Sequence, residues 1–324
     1  MSVKQPVDWE GLIGDTPLFR LSRLFENSQF HLFAKLEMFN LGGSMKDRAA
    51  LNMVQGALKK GLIGPGSTVI ESSSGNMGVG LAQACLHYGL KFICVADSRT
   101  NQTNIKVMRA FGAQIEVITD PKPGQSLLEA RLERVQELLD TIPGSFWCNQ
   151  YANEDNPGAH HYTMEEIDKA LGGKIDYLFC TTGTCGTIRG CSEYIKEHGL
   201  DTKIVAVDAV GSAIFGQKPG TRLVPGHGAA VRPKLFRDDI ADEVVHIDDA
   251  GCVAGCRKLL AKEAIMVGGS SGALVSAVEK MSREIPDGAN VVMILADRGE
   301  RYLETIYNDE WVKTNNLEGA KSNE

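Results

Sequence analysis

Apolar runs bounded by turn-forming residues alternate along most of the chain with stretches whose apolar positions recur at helical spacing. STVIE (67–71) runs into a Ser/Gly turn and then GVGLAQACLHYG; KFICVA (91–96) precedes NIKVMRAFG, and QIEVIT (114–119) follows. IDYLFC (175–180), KIVAVDAV (203–210), EVVHI (243–247) and NVVMIL (290–295) continue the series, again separated by helical patterns. Strand-like runs that alternate with helices predict βαβ units on parallel sheets covered on both faces. Gly89 and Gly112 each follow a helical stretch and are predicted to end it.

One helix carries its own start signal. Ser126 and Glu129 form a capping-box pair ahead of Leu128, Leu132, Val135, Leu139 and Ile142, so a helix is predicted over 126–142 with that stripe inward. DPKPGQ (120–125) is a loop, and 140–147 leads into a strand. A change of domain is expected near Asn149–Asn153, giving a first unit over 36–149 and a second from there to about 310. The polar tail VKTNNLEGAKSNE (312–324) is expected to fray.

Composition narrows the class. The 324 residues are 43% hydrophobic and 23% charged, ordinary for a globular protein of two domains or of one large α/β domain. A formal charge of −7, with no Lys/Arg cluster, argues against a nucleic-acid surface. No apolar run approaches the roughly 18–20 residues that span a bilayer. MSVKQPVDWE lacks the apolar centre of a signal peptide, which points to the cytoplasm. The eight cysteines show no C-x-x-C spacing, and several lie in apolar runs, where a thiol serves as a small hydrophobe in a reducing compartment.

Three loops are rich in hydrogen-bond donors. They are Leu41-Gly42-Gly43-Ser44-Met45-Lys46, with a single lysine opening a helical stretch; Ser72-Ser73-Ser74-Gly75-Asn76-Met77-Gly78, between a strand and a helix; and Thr182-Gly183-Thr184-Cys185-Gly186-Thr187, directly after a strand. Amides and hydroxyls at a helix N-terminus suit an anion, because the unpaired N–H groups and the helix dipole both favour negative charge. Neither the dinucleotide nor the P-loop fingerprint is present. Gly268-Gly269-Ser270-Ser271-Gly272 formally satisfies the hydrolase nucleophile elbow, but all seven histidines precede Ser270, whereas that fold needs its His afterwards. His160-His161 reads as a polar surface pair, and no metal site is expected.

Taken in order, LGGSMK (41–46), SSGNMG (73–78), GTCGT (183–187) and SSG (270–272) resemble the motifs of the fold-type II pyridoxal-phosphate enzymes of the cysteine synthase group, along nearly the whole chain. The resemblance implies two doubly wound α/β domains: a smaller, movable one over 36–149, and a larger one from 1–35 plus 150–324. It makes Lys46 the Schiff-base lysine and general base, and sets Asn76 against the phenolic oxygen of pyridoxal 5'-phosphate. Gly183, Thr184, Cys185, Gly186 and Thr187 would hold the phosphate, and Ser270 would face the pyridine nitrogen. Ser73, Ser74, Gly75 and Gln150 would grip the substrate carboxylate. A neutral Ser270 cannot hold a pyridine proton as a carboxylate would, which favours loss of a β-substituent over transamination. Three positions depart from the family: Leu41 for proline, expected to loosen the approach to Lys46; Ser73 for threonine; and Cys185 for glycine, whose side chain must point away from the phosphate.

Within the family, VQELL, NQYANE, SAIFGQKP and DRGERYL are similar to the synthases that join a serine-derived fragment to L-glutamate for 2,3-diaminopropionate, a building block of siderophores and peptide antibiotics. Arg298 stands where cysteine synthases have a serine, Arg131 flanks the 126–142 stripe, and Tyr151 follows Gln150. This implies O-phospho-L-serine and L-glutamate as substrates, N-(2-amino-2-carboxyethyl)-L-glutamate as product, and a homodimer. The alternative is a cysteine synthase using O-acetyl- or O-phospho-L-serine and sulfide.

Overall fold

The computed structural model describes residues 7–26 and 28–318. In chain order these form β1 (Leu18–Leu21), β2 (His31–Leu36), α1 (Lys46–Lys59), β3 (Thr68–Ser72), α2 (Asn76–His87), β4 (Lys91–Asp97), α3 (Gln102–Ala110), β5 (Gln114–Ile118), α4 (Leu127–Thr141) and β6 (Phe146–Trp147). There follow α5 (Asp155–Leu171), β7 (Tyr177–Thr181), α6 (Gly186–Glu197), β8 (Lys203–Ala209), β9 (Glu243–Ile247), α7 (Asp249–Glu263), α8 (Gly269–Met281), β10 (Asn290–Leu295) and α9 (Asp309–Thr314). Each apolar run noted in the sequence is a strand, and Gly89 and Gly112 close α2 and α3 with φ of 66° and 82°.

The chain divides into two compact units, Met1–Thr16 with Phe39–Asp155, and Pro17–Met38 with Asn156–Glu324. The described residues 7–16 therefore fall with the first unit, not with the 150–324 part as expected. The reason is local packing: Trp9 stacks on His87, the Tyr88 hydroxyl donates to Glu10, and Gly14 N–H donates to Asn40 Oδ1 at 2.8 Å.

The first unit is a parallel sheet in the order β5-β4-β3-β6. Ile70, Ile93 and Val95 of this sheet bury Val135 and Leu138 of α4. Both bonds of the expected capping box form at Ser126 and Glu129. Of the expected stripe, Val135 is buried and Leu139 and Ile142 pack against this cluster, whereas Leu132 is 37% exposed; Ala130 and Leu138 complete the inward seam. Arg131, one turn before Val135, shares the inward face.

The second unit is a sheet in the order β1-β2-β10-β7-β8-β9, parallel except for β1. Its interior strands are almost wholly apolar, as burial on both faces requires. The first part of the tail is ordered, against expectation: α9 forms over Asp309–Thr314, and Val312 and Leu317 are buried in the unit's core. Residues 319–324 of the tail and residues 1–6 of the N-terminal stretch lie outside the described residues. No helix among the described residues is long and apolar enough to cross a membrane.

Candidate functional site

In a doubly wound sheet, ligands bind outside the carboxyl ends of the strands, where neighbouring connections run off in opposite directions. In the first unit that point lies between β3 and β6, paired through Val69–Phe146 and Ile70–Trp147. The loop after β3 is Ser73–Asn76, and the loop after β6 carries Gln150. The two meet: the buried Gln150 donates from Nε2 to Ser72 O at 3.4 Å and from its backbone to Glu71 Oε2 at 3.3 Å. Ser73 is turned inward, its hydroxyl accepting from the amides of Gly75 (3.3 Å) and Gly78 (3.1 Å). Ser74 is exposed, and a Cβ at Gly75 would meet nothing within 4 Å, so these two positions front open space. Tyr151 is half-buried beside Gln150.

Lys46 opens α1 and is half-buried. A Cβ at Gly80 of α2 would lie 3.1 Å from Lys46 O, so α1 and α2 approach closely there; Asn76, one turn earlier on α2, falls on the same face. Backbone bonds hold the loop before Lys46, in which Leu41 stands for the family proline. Gly43 N–H donates to Asn40 O at 2.8 Å, and Gly42 N–H donates to the buried Asp47 at 2.6 Å. Arg131 is not a solvated surface charge. Its side chain is 12% exposed, and Nε lies 3.2 Å from Asp97 Oδ2, off the line of a good hydrogen bond. Asp97 ends β4, the strand beside β3, so this ion pair stands at the sheet edge of the Ser73–Asn76 loop.

The second unit reverses its connections between β7 and β10. The loop after β7 is Thr182–Thr187 and the loop after β10 carries Arg298. A third segment joins them to Ser270: Gly228 N–H donates to Thr182 O at 2.6 Å, and a Cβ at Gly226 would lie 3.5 Å from Ser270 Oγ. Ser270 itself is buried in the first turn of α8. Arg298 is paired through its backbone with Val267, just before α8, and its Nε donates to Met38 O at 3.0 Å, so the exposed arginine is anchored next to Ser270. Cys185 takes the left-handed conformation (φ 66°) that its family glycine would take freely, and its side chain is buried.

Three buried groups escaped sequence reasoning. His160 is not a surface residue. It is fully buried on α5, with Nε2 3.2 Å from Thr187 Oγ1 and Nδ1 3.2 Å from Thr163 Oγ1. Asn156, one turn earlier, donates from Nδ2 to Thr184 Oγ1 at 3.4 Å. The Asn156/His160 spacing on a helix was the available signal, and the adjacent His161, which does face Glu193 at the surface, obscured it. Glu71, buried at the end of β3, has its carboxyl pushed up to about 7 by burial, against donation from Gln150 and Ser72. The eight cysteines are all free and buried, and burial pushes Cys85, Cys94 and Cys256 up to about 12, which leaves them unreactive packing groups.

The first turns of α2, α6 and α8 carry neither a side-chain cap nor an acidic residue, while α4, α7 and α9 carry both. Within the second unit, the start of α6 with its Thr184 and Thr187 hydroxyls fits a phosphate group; within the first, the lysine at the head of α1 fits an aldehyde. Comparison with known proteins agrees. The family described as pyridoxal-phosphate dependent enzyme matches residues 10–297. The chain is 44% identical over 302 residues to N-(2-amino-2-carboxyethyl)-L-glutamate synthase of Ralstonia nicotianae, covering 93% of this chain and 89% of that one. Among solved structures it is similar to O-ureido-L-serine synthase (TM-score 0.86, 29% identity, 95% of this chain and 100% of that one). It is likewise similar to an O-acetylserine dependent cystathionine beta-synthase from Helicobacter pylori (TM-score 0.86, 31% identity, 94% and 100%). With the 73–78 and 183–187 loops at the switch points of its two sheets, the chain belongs to the pyridoxal-phosphate dependent enzymes, in their fold-type II, cysteine synthase-like β-replacement group.

Proposed function

We propose that the protein joins O-phospho-L-serine to L-glutamate, releasing phosphate and N-(2-amino-2-carboxyethyl)-L-glutamate. The observation that carries this reading is Arg298, an arginine anchored through Met38 O and Val267 beside Ser270, where cysteine synthases have a serine. Sulfide needs no dedicated cation, whereas glutamate brings carboxylates that must be paired or left in water, and a guanidinium can bond both oxygens of one. The relative at 44% identity, named for this reaction, supports the same choice.

The cofactor, when bound, draws electron density from the substrate Cα as its proton leaves. Gly183–Thr187 would hold its phosphate through amides and hydroxyls, Asn76 would donate to its phenolic oxygen, and Ser270 would meet its ring nitrogen as a neutral partner. The Ser73–Gly75 amides and Gln150 orient the substrate carboxylate. Lys46 Nζ takes the Cα proton, an effect worth roughly 10²–10⁴-fold for a positioned base. The Cβ–O bond breaks with its electron pair leaving on phosphate, steadied by Arg131 with Tyr151 nearby. The glutamate amine then forms the new N–Cβ bond and gives up a proton, Lys46 returns a proton to Cα, and Arg298 holds a glutamate carboxylate. A homodimer serving 2,3-diaminopropionate supply belongs to the same reading.

The test is incubation with phosphoserine plus L-glutamate against acetylserine plus sulfide, with products read by mass spectrometry. The glutamate adduct should form, and D-glutamate and L-alanine should react poorly, since each misplaces or lacks a carboxylate. Much faster turnover with sulfide at comparable concentration would make the protein a cysteine synthase instead.

A further inference from the structure

The cup threonines do not stand alone. α5 lays Asn156 and His160 against the start of α6, and the approach has no slack: a Cβ at Gly186 would overlap Asn156, and one at Gly190 would overlap Pro157 O. His160 is thereby held between two buried hydroxyls, Thr163 Oγ1 at 3.2 Å from Nδ1 and Thr187 Oγ1 at 3.2 Å from Nε2. A hydroxyl has one proton to give. Were Nε2 bare, Thr187 would spend its proton on the imidazole and turn only lone pairs towards a phosphate dianion. With the proton on Nε2, the imidazole donates to Thr187 Oγ1, the threonine proton stays available to the anion, and the bare Nδ1 accepts from Thr163. This order runs every donor towards the anion, whereas the opposite tautomer runs them away from it, and each bond polarises the next.

We propose that His160 is a positioning residue which, as the Nε2–H tautomer, aims the Thr187 hydroxyl proton at the cofactor phosphate. The proposal rests on the reading of 183–187 as the phosphate cup.

The test is rebinding of cofactor to the resolved enzyme. His160→Leu should weaken pyridoxal 5'-phosphate and inorganic phosphate by about 10- to 100-fold, the loss expected for one hydrogen bond to a charged group, and leave unphosphorylated pyridoxal unchanged. His160→Gln, which returns an N–H close to the Nε2 position, should recover most of the loss. In a Thr187→Val background, His160→Leu should have no further effect. Nitrogen-15 NMR of the histidine-labelled parent should show the Nε2–H tautomer, and this measurement stands even if the leucine variant fails to fold. Equal weakening of pyridoxal and its phosphate, or an Nδ1–H tautomer, would overturn the proposal. A parent enzyme that binds pyridoxal as tightly as its phosphate would overturn the cup reading itself, and this one with it.

Discussion

Glu71 has lost nearly all its water, and its environment determines how it answers to pH. Burial raises its carboxyl from 4.5 to about 7, so between those values the folded protein keeps a proton that the unfolded chain releases. Its contribution to stability is therefore complete below about pH 4.5, is lost as pH rises to about 7, and is constant above that. Glu71→Gln cannot ionise, so relative to the parent it should gain about 3 kcal/mol across that window, seen by urea unfolding near pH 4.5 and near pH 8. A difference that stays constant with pH would mean Glu71 is ionised in the fold. Arg131 calls for a different comparison, because its charge already faces Asp97. If it also steadies the departing phosphate, Arg131→Ala should lower kcat/KM about 10–100-fold more for phosphoserine than for acetylserine. Equal losses on the two donors would reduce it to the partner of Asp97.

Helices show where local chemistry suffices. The α4 capping box could be read from Ser126 and Glu129 because both bonds close within four residues; Ser126→Ala should cost about 1 kcal/mol in unfolding free energy and leave turnover unchanged. Gly190 of α6 reads as an ordinary helical glycine, yet it admits the backbone of α5 at Pro157. Gly190→Ala should therefore cost roughly 1–3 kcal/mol and also weaken cofactor binding, since the displaced helix carries Thr187. Unaltered cofactor affinity in a destabilised variant would separate the helix contact from the cup. Strands β1 and β2 escaped the pattern for a physical reason. β1 is an antiparallel edge strand with Phe19 exposed, and the buried Lys35 of β2, paired with Glu166, interrupts an otherwise apolar run.

For the whole molecule, the cofactor is also a stabilising ligand. Pyridoxal phosphate at about 100 times its Kd should stabilise the folded protein by about 2.7 kcal/mol, visible as a Tm that rises with cofactor concentration. Lys46→Ala should fold, lose turnover and shift the visible absorption band of bound cofactor towards that of the free aldehyde. Full turnover in that variant would remove Lys46 from the chemistry. The acceptor choice is also tested at this scale: Arg298→Ser should weaken glutamate use by about 10-fold or more while release of phosphate from phosphoserine is nearly unchanged, because elimination does not involve the acceptor.

The sequence by itself determined the βαβ alternation, the capped helix, the ordered loops around Lys46, Asn76, Thr184 and Ser270, and through them the family. Each of these signals is short-ranged: a period of two or 3.6 residues, a turn, a bond spanning three or four positions. Only the tertiary structure decided that Gln150 meets the end of β3, that Arg131 turns inward to Asp97, and that Arg298 is anchored beside Ser270. It alone took His160 from an expected surface pair to the buried back of the 183–187 loop. Those contacts join residues tens to hundreds of positions apart. No local pattern encodes them, because they exist only once sheet order and helix packing have brought the elements together.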